Sequence, residues 1–306
     1  MVDQAKVFVP GSIGNVGPGF DVLGLAVEGL GDRVTVELTS GASVVAHVLG
    51  RDADAVPREP GANCAVVAAL SLLRRIGDQR GVRLSLERAL PLAGGLGASA
   101  AASVGGALAA MYATGQTVAM EVLLAAALDG EESVAGRHLD NVAPSLLGGL
   151  TVSRGVDPPD AVRLPIQGEW WLALASPALR LATKNARGVL PSLIAQKDFV
   201  TQMANTAGLL VAFATGDHSL ARRSLVDVYA EPRRASLISS FLLVKAAALA
   251  AGALGCSISG AGPTVFALCE GESTARRAAE CMQEAFRPTA ATTHVGRIAQ
   301  SGAHRL

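Results

Sequence analysis

Apolar and polar positions alternate with period two in three short runs near the start of the chain. These are Lys6–Pro10 (KVFVP), Arg33–Leu38 (RVTVEL) and the stretch VRLSLERAL from Val82, and each predicts a strand. In the third, Val82, Leu84 and Leu86 share one face while Arg83, Ser85 and Glu87 share the other. Between the second and third runs, Asn63–Ile76 is apolar at helical spacing, with Asn63 or Gly61 suited to cap its start and Gly77 its end. A different pattern follows. From Ala89 to Met120 there is no charge at all: a glycine cluster, PLAGGLGASAAA at residues 91–102, leads into an Ala-rich helix predicted from Ala98 to about Tyr112. The stretch is long enough to span a bilayer. Its Ala, Gly, Ser and Thr insert poorly, however, so the expectation is a central buried helix and no membrane segment.

Beyond that helix, the prolines and charges of SRGVDPPDAVRLP at Ser153–Pro165 interrupt the pattern and suggest a domain boundary. The remainder predicts a strand at WWLALASP, several helices between Thr183 and Gly252, and a strand pair around GCSISGAGPTVFALC. A helix near Ser273–Phe286 and a last strand at TTHVGRI complete it. No internal repeat or low-complexity tail is present.

Composition narrows the function classes. The 306 residues suffice for one large or two ordinary domains, and with half of them apolar and 17% charged the chain belongs with compact folded proteins. The 26 basic residues equal the 26 acidic ones, so no excess of cations exists to neutralise nucleic-acid phosphates, and no nucleic-acid partner is expected. Cys64, Cys256, Cys269 and Cys281 stand far apart, without a C-x-x-C pair or adjacent histidines, which predicts buried free thiols in a reducing cytoplasm. The apolar stretch Val7–Pro10 is too short for a cleavable signal.

The glycine cluster lies between a strand and a buried helix, inside one unit, and so is not a linker. Unpaired N–H groups at a helix start suit an anion, phosphate above all. No Lys follows the glycines as in G-x-x-x-x-G-K-[ST], and G-x-G-x-x-G is absent. Taken alone, the cluster fits a phosphate site and a tight helix–strand packing equally well. Two further glycine clusters, Pro10–Val27 (PGSIGNVGPGFDVLGLAV) and Ile258–Leu268 (ISGAGPTVFAL), suggest a nucleotide-sized ligand approached by backbone from several sides.

Together the three clusters resemble the three motifs of the GHMP small-molecule kinases, in the expected order and over essentially the whole chain. Pro91, Gly95, Leu96, Gly97 and Ser99 match the phosphate loop P-x-x-x-G-L-G-[SA]-S, with Ala98 where serine is more usual. Four stretches, Asn15–Val27, His138–Leu150, Thr183–Pro191 and Ala230–Arg234, are similar to the homoserine-phosphorylating branch of that family. The resemblance implies an α+β fold of two domains: a ribosomal S5 domain 2-like unit, placed at residues 1–155, and a ferredoxin-like unit, placed at 156–306. It implies transfer of the ATP γ-phosphoryl group to the side-chain hydroxyl of L-homoserine, giving O-phosphohomoserine for threonine synthesis, and it makes a homodimer an option.

On that resemblance, Pro91, Gly94, Gly95, Leu96, Gly97, Ala98, Ser99 and Ala100 form the nucleotide loop, and Asn63 is either a base contact or a plain helix cap. Mg²⁺, which keeps its waters and takes few protein oxygens, falls to Ser99 and to Glu131, with the adjacent Glu132 a competitor. A zwitterionic acceptor needs a cation for its carboxylate, and Arg187 and Arg234 fit, with Arg233 adjacent in sequence. Asp21 fits its ammonium or hydroxyl, while Asn15, Asn141 and His138 line the same pocket. Asn141, Arg187 and Asp140 stand closest to the chemistry. No general base is evident; Asp140 is expected mainly to orient its neighbours, because a loose phosphoryl transition state needs positioning and charge above all. Two other readings remain at this point: a kinase of the same family with another hydroxylated acceptor, and a non-catalytic regulator that only binds nucleotide or amino acid.

Overall fold

The computed structural model describes residues 3–306. Along the chain run β1 (Gln4–Gly14), β2 (Leu23–Thr39), β3 (Val44–Gly50), α1 (Cys64–Arg75), β4 (Gly81–Arg88), α2 (Ala98–Thr114), α3 (Met120–Glu132), α4 (Leu139–Leu147), β5 (Leu150–Val156) and β6 (Pro159–Leu164). There follow β7 (Trp171–Pro177), α5 (Thr183–Gly188), α6 (Gln196–Thr215), α7 (His218–Ser224), α8 (Glu231–Arg234), α9 (Phe241–Ala250), β8 (Gly255–Ile258), β9 (Val265–Cys269), α10 (Glu272–Ala285), β10 (Ala291–Arg297) and β11 (His304–Arg305).

The first sheet runs β11-β1-β2-β4-β3, with the β5–β6 hairpin added where β5 pairs the start of β2. The period-two reading of β4 holds: Val82, Leu84 and Leu86 are buried and Arg83 and Glu87 exposed. The same parity buries Arg88. The charge-free segment becomes α2, with 14 of its 17 residues buried, so its lack of a polar face matches a helix enclosed on all sides. Glycine is required inside it, since a Cβ on Gly106 would collide with the Ala65 carbonyl of α1 and one on Gly105 with Val34 of β2. No helix among the described residues is long and apolar enough to cross a membrane.

The second sheet is ordered β10-β7-β9-β8 and is antiparallel throughout. Counted from β7, its strands lie 4-1-3-2 with α10 connecting the last two, the ferredoxin-like pattern that the resemblance implied. Its two faces feed two cores. Leu172 and Leu174 of β7 join Leu209 and Phe213 of α6 in an apolar cluster continuous with the first domain, whereas Ala173 and Ala175 face Val244, Ala278 and Met282 of α9 and α10.

The domain boundary expected between residues 155 and 156 needs correction. It cuts the end of β5, and β6, paired to β5 over residues 159–164, still belongs to the first sheet. The chain crosses to the second sheet only between Leu164 and Trp171, and it returns at the end, where β11 pairs β1. Of the two prolines that suggested a boundary, Pro158 lies in the turn of this hairpin and Pro159 opens β6, paired to Val156. The segment β3, which pairs parallel to β4, was not legible in the sequence either. Its residues are half exposed at a sheet edge, and VVAHVLG lacks clean alternation.

Candidate active site

The three glycine clusters converge on one another before they meet any ligand. Ser12 donates its amide to the Leu96 carbonyl at 3.1 Å, Gly260 donates to Gly14 at 3.0 Å, and the Asn15 Nδ2 donates to the Gly260 carbonyl at 2.8 Å. Hydroxyls of Ser259 and Thr264 donate to the carbonyls of Gly95 and Gly94, both at 2.5 Å. Gly95 (φ +84°) and Gly97 (φ +63°) hold left-handed backbone, and a Cβ on Gly95 would lie 2.6 Å from the Ser259 carbonyl. Close packing, one of the two readings left open by the sequence, is therefore in use here.

The consequence appears at the start of α2. The carbonyls one turn back, those of Gly94, Gly95 and Leu96, are all occupied by the contacts just described, and Gly97 at the N-cap supplies no side-chain acceptor. The first-turn N–H groups are left facing a cleft of about 400 Å³ that is lined by both domains. Gly94, Gly95, Gly97, Ala98 and Ser99 line it; Pro91, Leu96 and Ala100 do not. The latter three are buried behind the loop, where Pro91 accepts the turn-closing bond from the Gly94 amide at 3.3 Å. Their side chains support the loop on which the lining residues sit.

Ser99 donates its hydroxyl to Glu131 Oε1 at 2.9 Å, bringing α2 and α3 together at the cleft wall. Glu131 Oε2 is buried without a partner, and burial pushes this carboxyl up to about 7. A hydroxyl and a carboxylate with an unused oxygen form an all-oxygen donor set of the kind Mg²⁺ takes. Glu132 points elsewhere, bonded to Arg137 at 2.9 Å on the surface.

Further along the cleft is a charged group. Asp21 and Arg187 form a bidentate pair with contacts of 2.8–3.1 Å, joining a loop of the first domain to α5 of the second. Asn15 Oδ1 accepts the Asp21 amide at 2.9 Å, and His138 Nδ1 lies 3.9 Å from Asp21 Oδ1. Burial lowers the His138 pKa against the pull of Asp21. Arg234 is almost fully buried and donates through Nε to the Ala186 carbonyl and through Nη1 to that of Gly260, both at 3.0 Å. Burial and the neighbouring Arg187 charge both push its pKa down. Arg233 lies outside the cleft and clamps the carbonyls of Val228 and Tyr229.

Asp140 and Asn141 enter from the first turn of α4. Asp140 Oδ2 accepts the Asn15 amide at 3.1 Å, and burial, reinforced by the Asp21 charge, raises its carboxyl to about 7. Asn141 Oδ1 accepts the Ser12 hydroxyl at 3.0 Å, which turns the amide and leaves Nδ2 without a protein partner. Asn63 also lines the cleft, and its side chain is engaged locally. Its Oδ1 accepts the amides of Ala65 and Val66, and its Nδ2 donates to the Pro57 carbonyl, so it is an N-cap.

Two cleft residues escaped the sequence reading. Lys184 stands exposed on α5, one turn before Arg187. Arg88 is buried beside Asp32 at 3.4 Å, and the parity of β4 could have revealed that it faces inward. All four cysteines are free, but Cys64 and Cys281 are only partly buried. Cys64 lies in the cleft wall, where burial raises its thiol to about 11.

Comparison with known proteins shows the family to which the chain is similar. The family profiles "GHMP kinases N terminal domain" and "GHMP kinases C terminal" match residues 63–149 and 209–288. A homoserine kinase of Chlorobium phaeovibrioides is 38% identical over 294 residues, covering 92% of each chain. One of Xylella fastidiosa is 39% identical over 287 residues, covering 92% of this chain and 87% of its own. Among solved structures, a homoserine kinase from Cytophaga hutchinsonii superposes with a TM-score of 0.95 at 37% identity, over 100% of this chain and 98% of that one. A Leishmania major mevalonate kinase shares the fold at a TM-score of 0.72 and 13% identity, over 94% of this chain and 95% of its own.

Proposed function

The chain belongs to the GHMP kinases, beside their homoserine kinases, and on that premise we propose that it transfers the γ-phosphoryl group of ATP to the side-chain hydroxyl of L-homoserine. One observation carries the reading. The open N-terminus of α2, the Ser99–Glu131 pair and the Asp21–Arg187–Arg234 group line a single cleft between the two domains.

The triphosphate lies against the glycine loop, where first-turn N–H groups and the helix dipole meet its charge. Ser99 and Glu131 hold Mg²⁺, which when bound neutralises charge on the transferring group. Glu131 would have to ionise to hold it, and its buried Oε2 has no protein partner. The acceptor is a zwitterion, and the site is matched to it. Its ammonium takes Asp21 and its carboxylate takes Arg187 and Arg234, so binding exchanges one internal ion pair for two external ones without a change of net charge. Asn15 and Asn141 bond the polar atoms between, and His138 closes the wall. Discrimination from L-serine, one methylene shorter, is worth only about 1–3 kcal/mol. The reaction is placed in the cytoplasm, which the free thiols suit.

Catalysis is assigned to position and charge, with Arg187 stabilising the developing phosphoryl charge, Asn141 orienting the acceptor, and Asp140 holding the Asn15 loop. A second role for Asp140 has one observation in its favour: a carboxyl raised to about 7 is matched to accepting a proton at neutral pH. In Asp140→Asn, a turnover loss on the order of 10²–10⁴ with normal KM marks a base, and a smaller loss marks the positioning role. The reading as a whole is tested by ADP release with Mg-ATP and L-homoserine, L-serine, L-threonine, shikimate, mevalonate or no acceptor. Release coupled to phosphate on L-homoserine, markedly faster than on serine, is the expected outcome. Silence with every acceptor while ATP still binds would instead make the protein a nucleotide-binding regulator.

A further inference from the structure

Arg187 and Arg234 reach the cleft from separate elements of the second domain, and each carries a full positive charge. Between them in space lies one aromatic side chain, Phe20, whose ring centroid is 5.4 Å from the guanidinium carbon of each. A phenyl face attracts a cation through its quadrupole, and most strongly where water is excluded. The ring is itself fixed. Tyr229 meets it edge-on at 5.1 Å and 81°, and the Tyr229 hydroxyl donates to the Pro191 carbonyl at 3.1 Å. Two residues before Phe20, the Pro18 carbonyl accepts from Gln202 Nε2 at 2.8 Å and from Thr206 Oγ1 at 2.9 Å, both on α6. One residue after it, Asp21 pairs with Arg187. The loop that carries Phe20 is thus anchored on both sides of the ring.

We propose that Phe20 is a positioning residue for the acceptor, its ring holding the guanidiniums of Arg187 and Arg234 together as one receptor for the carboxylate. Without the ring, the like charges of buried Arg234 and half-exposed Arg187 would separate, and a carboxylate would meet one arginine at a time. Phe20 is not among the residues lining the main cleft, so it acts through the arginines. This rests on the acceptor assignment above, but it concerns a different link, the geometry of the cation pair.

The test is steady-state kinetics on Phe20→Leu, which keeps the apolar bulk and removes the ring, and on Phe20→Tyr, which keeps the ring. Each quadrupole contact is modest, so KM for L-homoserine is expected to rise about five- to thirty-fold in Phe20→Leu. KM for ATP should stay near wild type, and Phe20→Tyr should recover most of the loss. A homoserine KM unchanged in Phe20→Leu, an ATP KM rising in step with it, or a Tyr variant as impaired as the Leu variant would overturn the proposal. NMR of the arginine Nε–Hε groups gives an arm independent of turnover. The Arg187 and Arg234 signals should carry a ring-current shift that Phe20→Leu abolishes and Phe20→Tyr retains, and absence of that change would overturn the proposal. A wild-type enzyme inactive on L-homoserine would overturn the acceptor assignment, and the NMR arm would still decide the role of Phe20.

Discussion

Asp140 and Glu131 are carboxylates held almost entirely out of water, and each is raised to about 7 by burial. For Asp140 the linkage has a definite sign. Between its ordinary 3.8 and about 7 the folded chain holds a proton that the unfolded chain has released, so this group's contribution to stability falls as pH rises through that window. Asp140→Asn removes the titration while its amide oxygen can still accept the Asn15 N–H. The variant should match wild type near pH 4 and become more stable by about 1–3 kcal/mol above pH 7, read by urea unfolding across that range. Glu131 and Glu132, though adjacent, differ in surroundings, the first buried against Ser99 and the second at the surface with Arg137. Glu131→Gln should raise the magnesium requirement and lower turnover on the order of 10²–10³, while Glu132→Gln, which only releases Arg137 at the surface, should leave both near wild type in a magnesium titration.

At the scale of elements, α1 and α2 begin in opposite ways. The start of α1 is closed by Asn63, whose side chain satisfies two first-turn amides and ties back to Pro57. That of α2 is left open by a glycine, and the carbonyls behind it are engaged by Ser12, Ser259 and Thr264. A capped helix is a structural part, and an uncapped one in a cleft is an anion site. Asn63→Ala should therefore cost about 1 kcal/mol of stability, within a range of 0.5–2, while KM for ATP stays close to wild type. A large rise in that KM with stability intact would instead make Asn63 a contact to the base.

For the whole molecule, the second sheet has one face in the core that continues into the first domain, and β11 returns to pair with β1. The domains share apolar surface and chain, and the Asp21–Arg187 pair bridges them at the cleft. The chain should accordingly melt in a single calorimetric transition. Mg-ATP at about 100 times its Kd should add about 2.7 kcal/mol to stability. Two separate transitions would show that the shared core does not couple the domains.

By itself the sequence determined what depends on local pattern. Strand β4, helix α1, the buried α2 and the three glycine clusters follow from periodicity, charge and spacing, because neighbours in sequence impose them, whereas the cleft residues were implied by the family resemblance. The tertiary structure decided what depends on direction and distance. Arg233 and Arg234 are adjacent, as are Glu131 and Glu132; the resemblance favoured the second arginine and the first glutamate, and the turn of each helix puts those two at the cleft. Leu96 lies in the phosphate-loop motif and Ala100 directly after it, yet both are buried behind the loop, because the loop must rest on a core to hold its shape. The paired prolines suggested a domain boundary and instead sit in a hairpin, Pro158 in its turn and Pro159 at the start of β6, since a tight turn and a boundary use the same residues and only pairing to β5 tells them apart. Phe20, a single apolar residue among glycines, gave no chemical signal in the sequence. Its position between two arginines exists only once loops more than 160 residues apart are brought together.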